Sequence, residues 1–176
     1  PDLIVEPVRG NIGTRLQKLR EGQFDAILLA AAGLHRVGWE NLITEYLDVD
    51  VLLTAVGQGA LGIQCRSDDT EVISVLERLN DPDTAFAVTA ERAFLKRLDG
   101  DCQVPVGAFG VVHHGRSVSL TGLVAEPRAK HVYRHSASGT DPVQVGEQLA
   151  DEVAAMGARD VLAALRGEAP PDEHHS

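Results

Sequence analysis

The chain of 176 residues changes its hydrophobic pattern at a polar cluster, residues 80–83, and the two sides of this cluster require different folds. Before the cluster, short apolar runs at residues 3–5, 24–30 and 61–66 predict strands, and residues 51–55 predict a brief strand or an extended segment. Helical segments separate the first three of these runs along the chain. Such alternation is typical of an α/β layer with a buried parallel sheet. After the cluster, a helix, three β-rich stretches and a final helix predict a small antiparallel sheet with helices on one face.

Capping residues and glycines set the bounds of the predicted elements. One helix follows the turn at residues 9–15 and stops at Gly22, and the other predicted helices cover residues 31–37, 41–46, 69–79, 84–98 and 142–165, with a break at Gly157. The predicted antiparallel strands cover residues 104–112, 117–125 and 131–136. The polar tail from Gly167 is predicted to be frayed.

Composition excludes several classes of protein. A net charge of -10 and an aromatic content of 4% argue against a surface that follows nucleic-acid phosphates or stacks on bases. The most apolar stretch, residues 26–34, is too short to span a bilayer. Cys65 and Cys102 form no framework of paired spacings and have no histidine at ligand distance in the sequence, so we predict no metal site and a reducing compartment. The apolar surroundings of Cys65 predict that it is buried.

Arginines surround the predicted start of the first helix. Arg9 and Arg15 flank the turn RGNIGTR at residues 9–15, and Arg36 follows the next strand and short helix. A helix N-terminus attracts anions, and guanidinium groups bind carboxylates and phosphates through paired hydrogen bonds. Loops that follow neighbouring parallel strands share one crevice, so Arg9 and Arg36 are expected to converge. From spacing alone, three solvated surface arginines explain the pattern equally well.

A glycine pattern, GQGALG at residues 57–62, matches the dinucleotide fingerprint. That fingerprint requires a helix that begins at the glycines, whereas residues 63–65 continue as a predicted strand. The pattern therefore favours a glycine-rich crossing between strands over a nucleotide site.

Cys102 lies in a loop just beyond a predicted helix, between Asp101 and the Gln-Val-Pro segment. The negative end of the helix and the neighbouring carboxylates disfavour the thiolate, which is the reactive form. Such a thiol is poorly suited to repeated turnover but sufficient for a single reaction with a strong electrophile. From its position alone, a structural loop cysteine is the leading interpretation of Cys102.

Six segments, taken in order and spacing, resemble the porphobilinogen deaminase (hydroxymethylbilane synthase) family. These are RGNIGTR at residues 9–15, DAILLA at 25–30, AGLHR at 32–36, AVGQGA at 55–60, TAER at 89–92 and CQVPVG at 102–107. The resemblance extends from Pro1 to about Gly167 and matches only the later part of that enzyme.

The resemblance implies a transferase of porphyrin and heme biosynthesis. This family joins four porphobilinogen units head to tail, releases ammonia at each addition, and primes the linear tetrapyrrole on a covalently held dipyrromethane cofactor. By resemblance, Cys102 holds that cofactor through a thioether. The resemblance further assigns the acetate and propionate groups of cofactor and growing oligopyrrole to Arg9, Arg15 and Arg36, and places Asn11, Gly33 and Gln58 in the same cleft.

The family also implies a division into domains. Residues 1–60 would be part of a solute-binding-protein-like α/β domain, residues 61–81 a crossing strand and helix of an otherwise absent first domain, and residues 82–176 the cofactor-carrying α+β domain. Two departures matter: Asp101 stands where the family has a glycine, and the family's catalytic aspartate corresponds to no position here. We therefore assign no catalytic residue and expect the chain by itself to be inactive.

Two other functions compete with this hypothesis. A non-catalytic anion-binding module of the solute-binding-protein type would use the same arginines without needing Cys102. A nucleotide-dependent oxidoreductase rests only on the glycine pattern. The remaining expectations are a cytoplasmic monomer that binds neither nucleic acid nor membrane.

Overall fold

The computed structural model of the chain describes residues 3–98, 105–126 and 131–166. The chain separates into two compact units, Pro1–Leu47 and Asp48–Ser176, which are described one at a time. Cys102, the predicted attachment residue, lies outside the described residues, as do Asp101 and the tail from Gly167.

The first unit contains two short helices, α1 (Ile12–Arg20) and α2 (Ala31–Arg36), and a 3-10 turn at Glu40–Leu42. The side chain of Asn11 caps α1, and α1 ends before Gly22, whose φ of 73° favours glycine. Both helices agree with the sequence prediction. Among the described residues of this unit, only Leu16 and Leu34 are buried apolar side chains. The first unit thus has very little hydrophobic core.

The second unit begins with a short helix, α3, and then forms a helix–sheet–helix layer. Its elements are α3 (Thr70–Leu76) with a 3-10 turn at Glu77–Leu79, α4 (Pro82–Arg97), β1 (Val106–His113), β2 (Ser117–Ala125), β3 (Val132–Gly139), α5 (Pro142–Val153), a wide turn at Ala154–Ala158 and α6 (Arg159–Arg166). The three strands form an antiparallel meander in the order β1-β2-β3, with Leu120 opposite Gly110 on one side and Ala137 on the other. The predicted antiparallel sheet is therefore confirmed.

The core of the second unit lies between this sheet and helices α4 and α5. Alternate residues of β2, such as Leu120, face the helices and are fully buried together with Phe94 of α4 and Leu149 of α5. The helices approach closely at Gly146, where an added Cβ would lie 2.3 Å from the carbonyl oxygen of Ala90. Helix α4 begins at Pro82, two residues before the predicted start, and ends at Arg97.

The strands predicted at residues 3–5, 24–30 and 61–66 are wrong, and so is the strand alternative for residues 51–55. Residues 3–5, 24–30, 51–55 and 61–66 form no hydrogen-bonded strand within the described part of the chain. A parallel strand obtains its hydrogen bonds and its burial from neighbouring strands, and the described residues supply none here. Consequently, none of their apolar side chains is buried, and some lie almost fully in solvent: Val5 is 92% exposed and Leu61 is 91% exposed.

Two smaller predictions also need correction. The helix predicted for residues 41–46 is only the 3-10 turn Glu40–Leu42, since the backbone becomes extended at Ile43. Cys65 is exposed rather than buried because it lies in the unpaired segment at residues 61–66. Within the described ranges, no helix combines the length and the apolar character needed to cross a membrane.

Candidate functional site

The turn before α1 is tightly organised around Asn11. Its side-chain oxygen accepts hydrogen bonds from the backbone N–H of Thr14 at 2.8 Å and from the Thr14 hydroxyl at 3.0 Å. Gly10 has a φ of 122°, and an added Cβ there would lie 2.9 Å from the Thr14 side chain. Only glycine fits this position without displacing the cap. The chain therefore enters α1 in a defined geometry.

Two basic side chains of α1 fold back onto the same turn. Arg15 donates from Nε to the carbonyl oxygen of Gly10 at 2.8 Å, and Lys18 donates from Nζ to the carbonyl oxygen of Arg9 at 3.2 Å. No protein group within the described residues binds the terminal nitrogens of Arg15. The Nε bond holds the guanidinium plane in place and leaves its outer edge available to a carboxylate.

The electrostatic setting of this turn favours an anion. The first turn of α1 contains no acidic residue, and two of the three basic residues of this helix, Lys18 and Arg20, lie in its last turn. Arg9 and Arg36 are exposed, and neither belongs to an ion pair within the described part of the chain. Unpaired guanidinium groups beside a helix N-terminus attract carboxylates or phosphates, because the dipole and the charges act in the same direction.

Gly33 brings the second helix against the start of the first. A Cβ on Gly33 would lie 2.8 Å from Cδ1 of Ile12, so a larger residue would push α2 away from α1. Arg36 follows Gly33 by three residues on α2 and is therefore its neighbour on the helix surface. The first unit thus brings together the predicted site residues Asn11, Arg15 and Gly33, with Arg9 in the same turn and Arg36 on the adjoining helix.

His35 has a local partner. Its Nε2 lies 2.9 Å from the hydroxyl of Tyr46, and the two rings stack with centroids 5.9 Å apart. His35 is exposed, and the contact ties the end of α2 to the extended segment after Ile43.

Gln58 lies in the second unit, on a turn between Gly57 and Gly59 with φ values of 72° and 90°. Residues 61–66 after the turn are not helical, so the glycines offer no helix N-terminus to a pyrophosphate. The structure therefore does not provide the helix that a nucleotide site at these glycines requires.

The sequence patterns missed two residues that organise this region. Glu91 on α4 accepts hydrogen bonds from the backbone N–H of Gly57 at 2.8 Å and of Gly110 at 3.0 Å. Arg134 on β3 donates to the carbonyl oxygen and the carboxylate of Asp50, at 2.7 Å and 2.8 Å. A signal for Glu91 was present, since it precedes the buried Phe94 and Leu98 by three and seven residues on the apolar face of α4.

No metal centre is formed by the described residues. They contain no group of three or more His, Cys, Asp or Glu side chains placed to hold an ion. The donors that the turn before α1 offers are guanidinium and backbone N–H groups, which bind anions rather than cations.

Two family models match the chain, and together they cover most of it. Residues 1–74 match "Porphobilinogen deaminase, dipyromethane cofactor binding domain", and residues 85–155 match "Porphobilinogen deaminase, C-terminal domain". The first match contains Arg9, Arg15, Arg36 and Gln58, and the second contains Cys102.

Curated relatives have the same name over nearly the whole chain. A porphobilinogen deaminase of Brevibacillus brevis is 49% identical over 168 residues, which are 96% of this chain and 54% of that protein. One from Halalkalibacterium halodurans is 51% identical over 163 residues, 92% of this chain and 52% of that protein. One from Staphylococcus epidermidis is 48% identical over 166 residues, 94% of this chain and 54% of that protein. The chain spans about half the length of the curated relatives it matches.

Proposed function

This chain belongs to the porphobilinogen deaminase family, and from that premise we propose that it supplies the later half of a hydroxymethylbilane synthase. The complete enzyme would be a transferase of porphyrin and heme biosynthesis. It would condense four porphobilinogen units head to tail and release one ammonia at each addition.

The observation that carries this proposal is the organised arginine turn within the segment that matches a cofactor-binding domain. Each pyrrole of the substrate bears two carboxylates, an acetate and a propionate. The outer edge of Arg15, the exposed guanidinium groups of Arg9 and Arg36, and the N-terminus of α1 form a donor set of the matching charge. An acidic chain with a net charge of -10 needs such a local concentration of positive charge to hold a polyanion.

The residues also fit a dipyrromethane cofactor. When bound, that group supplies the primer to which the four substrate units are added. We propose that Cys102 holds it covalently and that Arg9, Arg15 and Arg36 hold its carboxylates, while Asn11, Gly33 and Gln58 line the same cleft. Asn11 would act by keeping the α1 turn in shape, because its side-chain oxygen is already engaged with Thr14.

We propose the domain division predicted from the resemblance as well, with residues 61–81 as a crossing strand and helix that complete a first domain. No residue of α3 is buried, and Leu61 and Ile63 are 91% and 60% exposed. Together with Leu76, Leu79 and Val88 they line an open cleft of about 520 Å³. So much exposed apolar surface is typical of a segment that lacks its partner. Residues 1–60 would form part of a solute-binding-protein-like α/β domain.

A chimera tests the activity. The N-terminal half of the Brevibacillus brevis relative, joined to this chain, is expected to release ammonia from porphobilinogen and to form a linear tetrapyrrole, whereas the chain alone forms neither. Steady ammonia release by the isolated chain, or a folded chimera that binds porphobilinogen but turns none over, would contradict the proposal. The second outcome favours the non-catalytic anion-binding module.

Substitutions in α1 test the arginine turn in that chimera. Arg15→Leu is expected to weaken substrate binding about tenfold to a hundredfold, since each lost charged hydrogen bond costs about 1.5–3 kcal/mol. Arg15→Lys retains the positive charge but loses the paired N–H donors of the guanidinium group, so an intermediate effect on substrate binding is expected. Arg20→Leu is the matched control, because Arg20 is an exposed arginine in the last turn of the same helix. Equal effects of Arg15→Leu and Arg20→Leu would remove Arg15 from the site.

Cys65 reports on the domain division. Its thiol is exposed in this chain, so a small thiol reagent should label it rapidly. In the chimera, residues 61–66 are expected to pair with the added half, and labelling of Cys65 should slow strongly. Unchanged labelling in a folded chimera would show that the segment remains in solvent.

Three further expectations stay predictions: that the protein is cytoplasmic, that it is a monomer and that it binds no nucleic acid.

A further inference from the structure

Within the described residues, Glu91 is the single charged side chain that is buried, with 5% of its surface exposed. A buried carboxylate is costly unless its oxygens accept good hydrogen bonds. Glu91 satisfies this condition with one backbone N–H on each oxygen: Gly57 on Oε2 at 2.8 Å and Gly110 on Oε1 at 3.0 Å. These donors lie 34 and 19 residues away in the sequence, so the carboxylate joins three separate segments.

The segment that ends at Gly57 is attached to the sheet at two further points. We call residues 49–57 the strap. Arg134 of β3 binds the carbonyl oxygen of Asp50 at 2.7 Å, and the backbone N–H of Ala108 on β1 donates to the carbonyl oxygen of Thr54 at 3.0 Å. Glu91 is the third attachment, and it is the one nearest to Gln58.

The two elements that Glu91 joins are the neighbours of Cys102 in the chain. Glu91 belongs to α4, which ends at Arg97, and Gly110 belongs to β1, which begins at Val106. Cys102 lies in the connection between them. The same carboxylate therefore joins the two elements that flank that connection to the turn that carries Gln58.

We propose that Glu91 is a positioning residue that fixes the Gln58 turn on the domain that carries Cys102, so that both move as one body. This inference deepens the proposed function and rests on it for the roles of Gln58 and Cys102. The strap precedes the cofactor-carrying domain in the sequence and is attached to it through Glu91, Ala108 and Arg134. Glu91 touches neither substrate nor cofactor in this account and acts only through the turn.

Amide exchange tests the attachment in the 176-residue chain. Glu91→Gln retains the size of the side chain but places an NH2 group against one of the two N–H donors. The amides of Gly57 and Gly110 are expected to exchange about tenfold to a hundredfold faster, while the amide of Phe94 is unchanged. Glu91→Asp, which retains the charge but is too short to reach both donors, gives the same test if Glu91→Gln does not fold. Glu147→Gln, an exposed glutamate on α5, is the control. Unchanged exchange at Gly57, or equal acceleration throughout the core, would overturn the inference.

A double-mutant cycle in the chimera tests the positioning role. Gln58→Ala and Glu91→Gln are each expected to raise the KM for porphobilinogen. The double variant should raise the KM by about the same factor as Glu91→Gln alone. In Glu91→Gln, a misplaced Gln58 already contributes little to substrate binding, so removing its side chain costs little more. Effects that multiply, or no effect of Gln58→Ala by itself, contradict the proposal even where the chimera is active. A chimera that forms no tetrapyrrole counts against the proposed function instead, and the exchange result then decides the inference.

Discussion

The two units of this chain obtain their order from different sources. The described residues of the second unit contain a packed core of fifteen buried apolar residues between a three-stranded sheet and its helices. Among its described residues, the first unit buries only Leu16 and Leu34. Its order comes instead from local hydrogen bonds, such as the Asn11 cap and the bond from Arg15 to Gly10.

This difference shows that an apolar run is not by itself a buried strand. Residues 24–30 are as apolar as β2, yet Leu28 is 66% exposed while Leu120 is fully buried. β2 has a strand on each side and helices on one face, and the run at residues 24–30 has no neighbouring strand among the described residues. The candidate anion site is built on the unit with the weaker core, and the predicted attachment cysteine belongs to the unit with the stronger one.

The largest effect is expected from Phe94→Ala in the core of the second unit. Removing this ring should lower the free energy of unfolding by about 3–5 kcal/mol, because it leaves a cavity beneath Gly122 and Leu149. Leu28→Ala, in the first unit, should change it by less than about 0.5 kcal/mol. Urea titration followed by circular dichroism measures the second unit, and fluorescence of Trp39, the one tryptophan of the chain, measures the first. Equal effects of the two substitutions would break the comparison.

The next largest difference in stability is expected between alanine substitutions at two glycines, Gly146 and Gly62. Gly146→Ala must separate α4 from α5, since its Cβ would lie 2.3 Å from the carbonyl oxygen of Ala90, and should cost about 1–3 kcal/mol. Gly62→Ala is the matched control, because no atom lies within 4 Å of the added Cβ. Thermal unfolding of both variants measures the difference. A neutral Gly146→Ala would mean that the helices are not in close contact.

The cap of α1 should give a smaller, local effect. Asn11→Ala removes the acceptor for the backbone N–H of Thr14 and should destabilise α1 by about 1 kcal/mol, whereas Asn11→Asp keeps the cap. Amide exchange along α1, compared with exchange in α5, measures this effect. If Asn11→Ala loosened α5 as much as α1, the order of the first unit would not be local.

The smallest effect concerns pH. The backbone N–H and the hydroxyl of Thr84 lower the pKa of Asp81, the N-cap of α4, from its ordinary value of 3.8. Because the pKa is lower in the folded state, the stabilisation is present above pH 3.8 and is lost as the pH falls through the folded-state pKa. Unfolding experiments at pH values below 3.8 should therefore show a shallower loss of stability for Asp81→Asn than for the parent chain. Identical slopes would remove Asp81 from the acid response.

Local signals predicted most of the second unit. The observed bounds of β2 equal the predicted ones, and β1 and β3 differ from prediction by a few residues. Gly157, which was predicted to break the last helix, has a φ of 119°. These elements were predictable because alternation, caps and glycines act over a few residues, and their partners follow directly in the chain.

The sequence predicted less of the first unit and of the links to the site. The candidate anion-binding turn was predictable because arginines, a cap and a glycine lie within seven residues of one another. The strands failed because their burial depends on partners that the described residues do not contain. Glu91 was missed although it lies on the apolar face of α4, because that position does not reveal its hydrogen-bond donors, Gly57 and Gly110, which lie far away in the sequence.

We propose above all that Cys102 carries a dipyrromethane whose carboxylates are held by Arg9, Arg15 and Arg36. The mass of the intact chimera tests this proposal most directly. We expect an added dipyrromethane that is lost in Cys102→Ser and retained in Cys65→Ser, the matched control at the exposed second cysteine. A chimera that forms linear tetrapyrrole with an unmodified Cys102, or with the group on Cys65, would contradict the account.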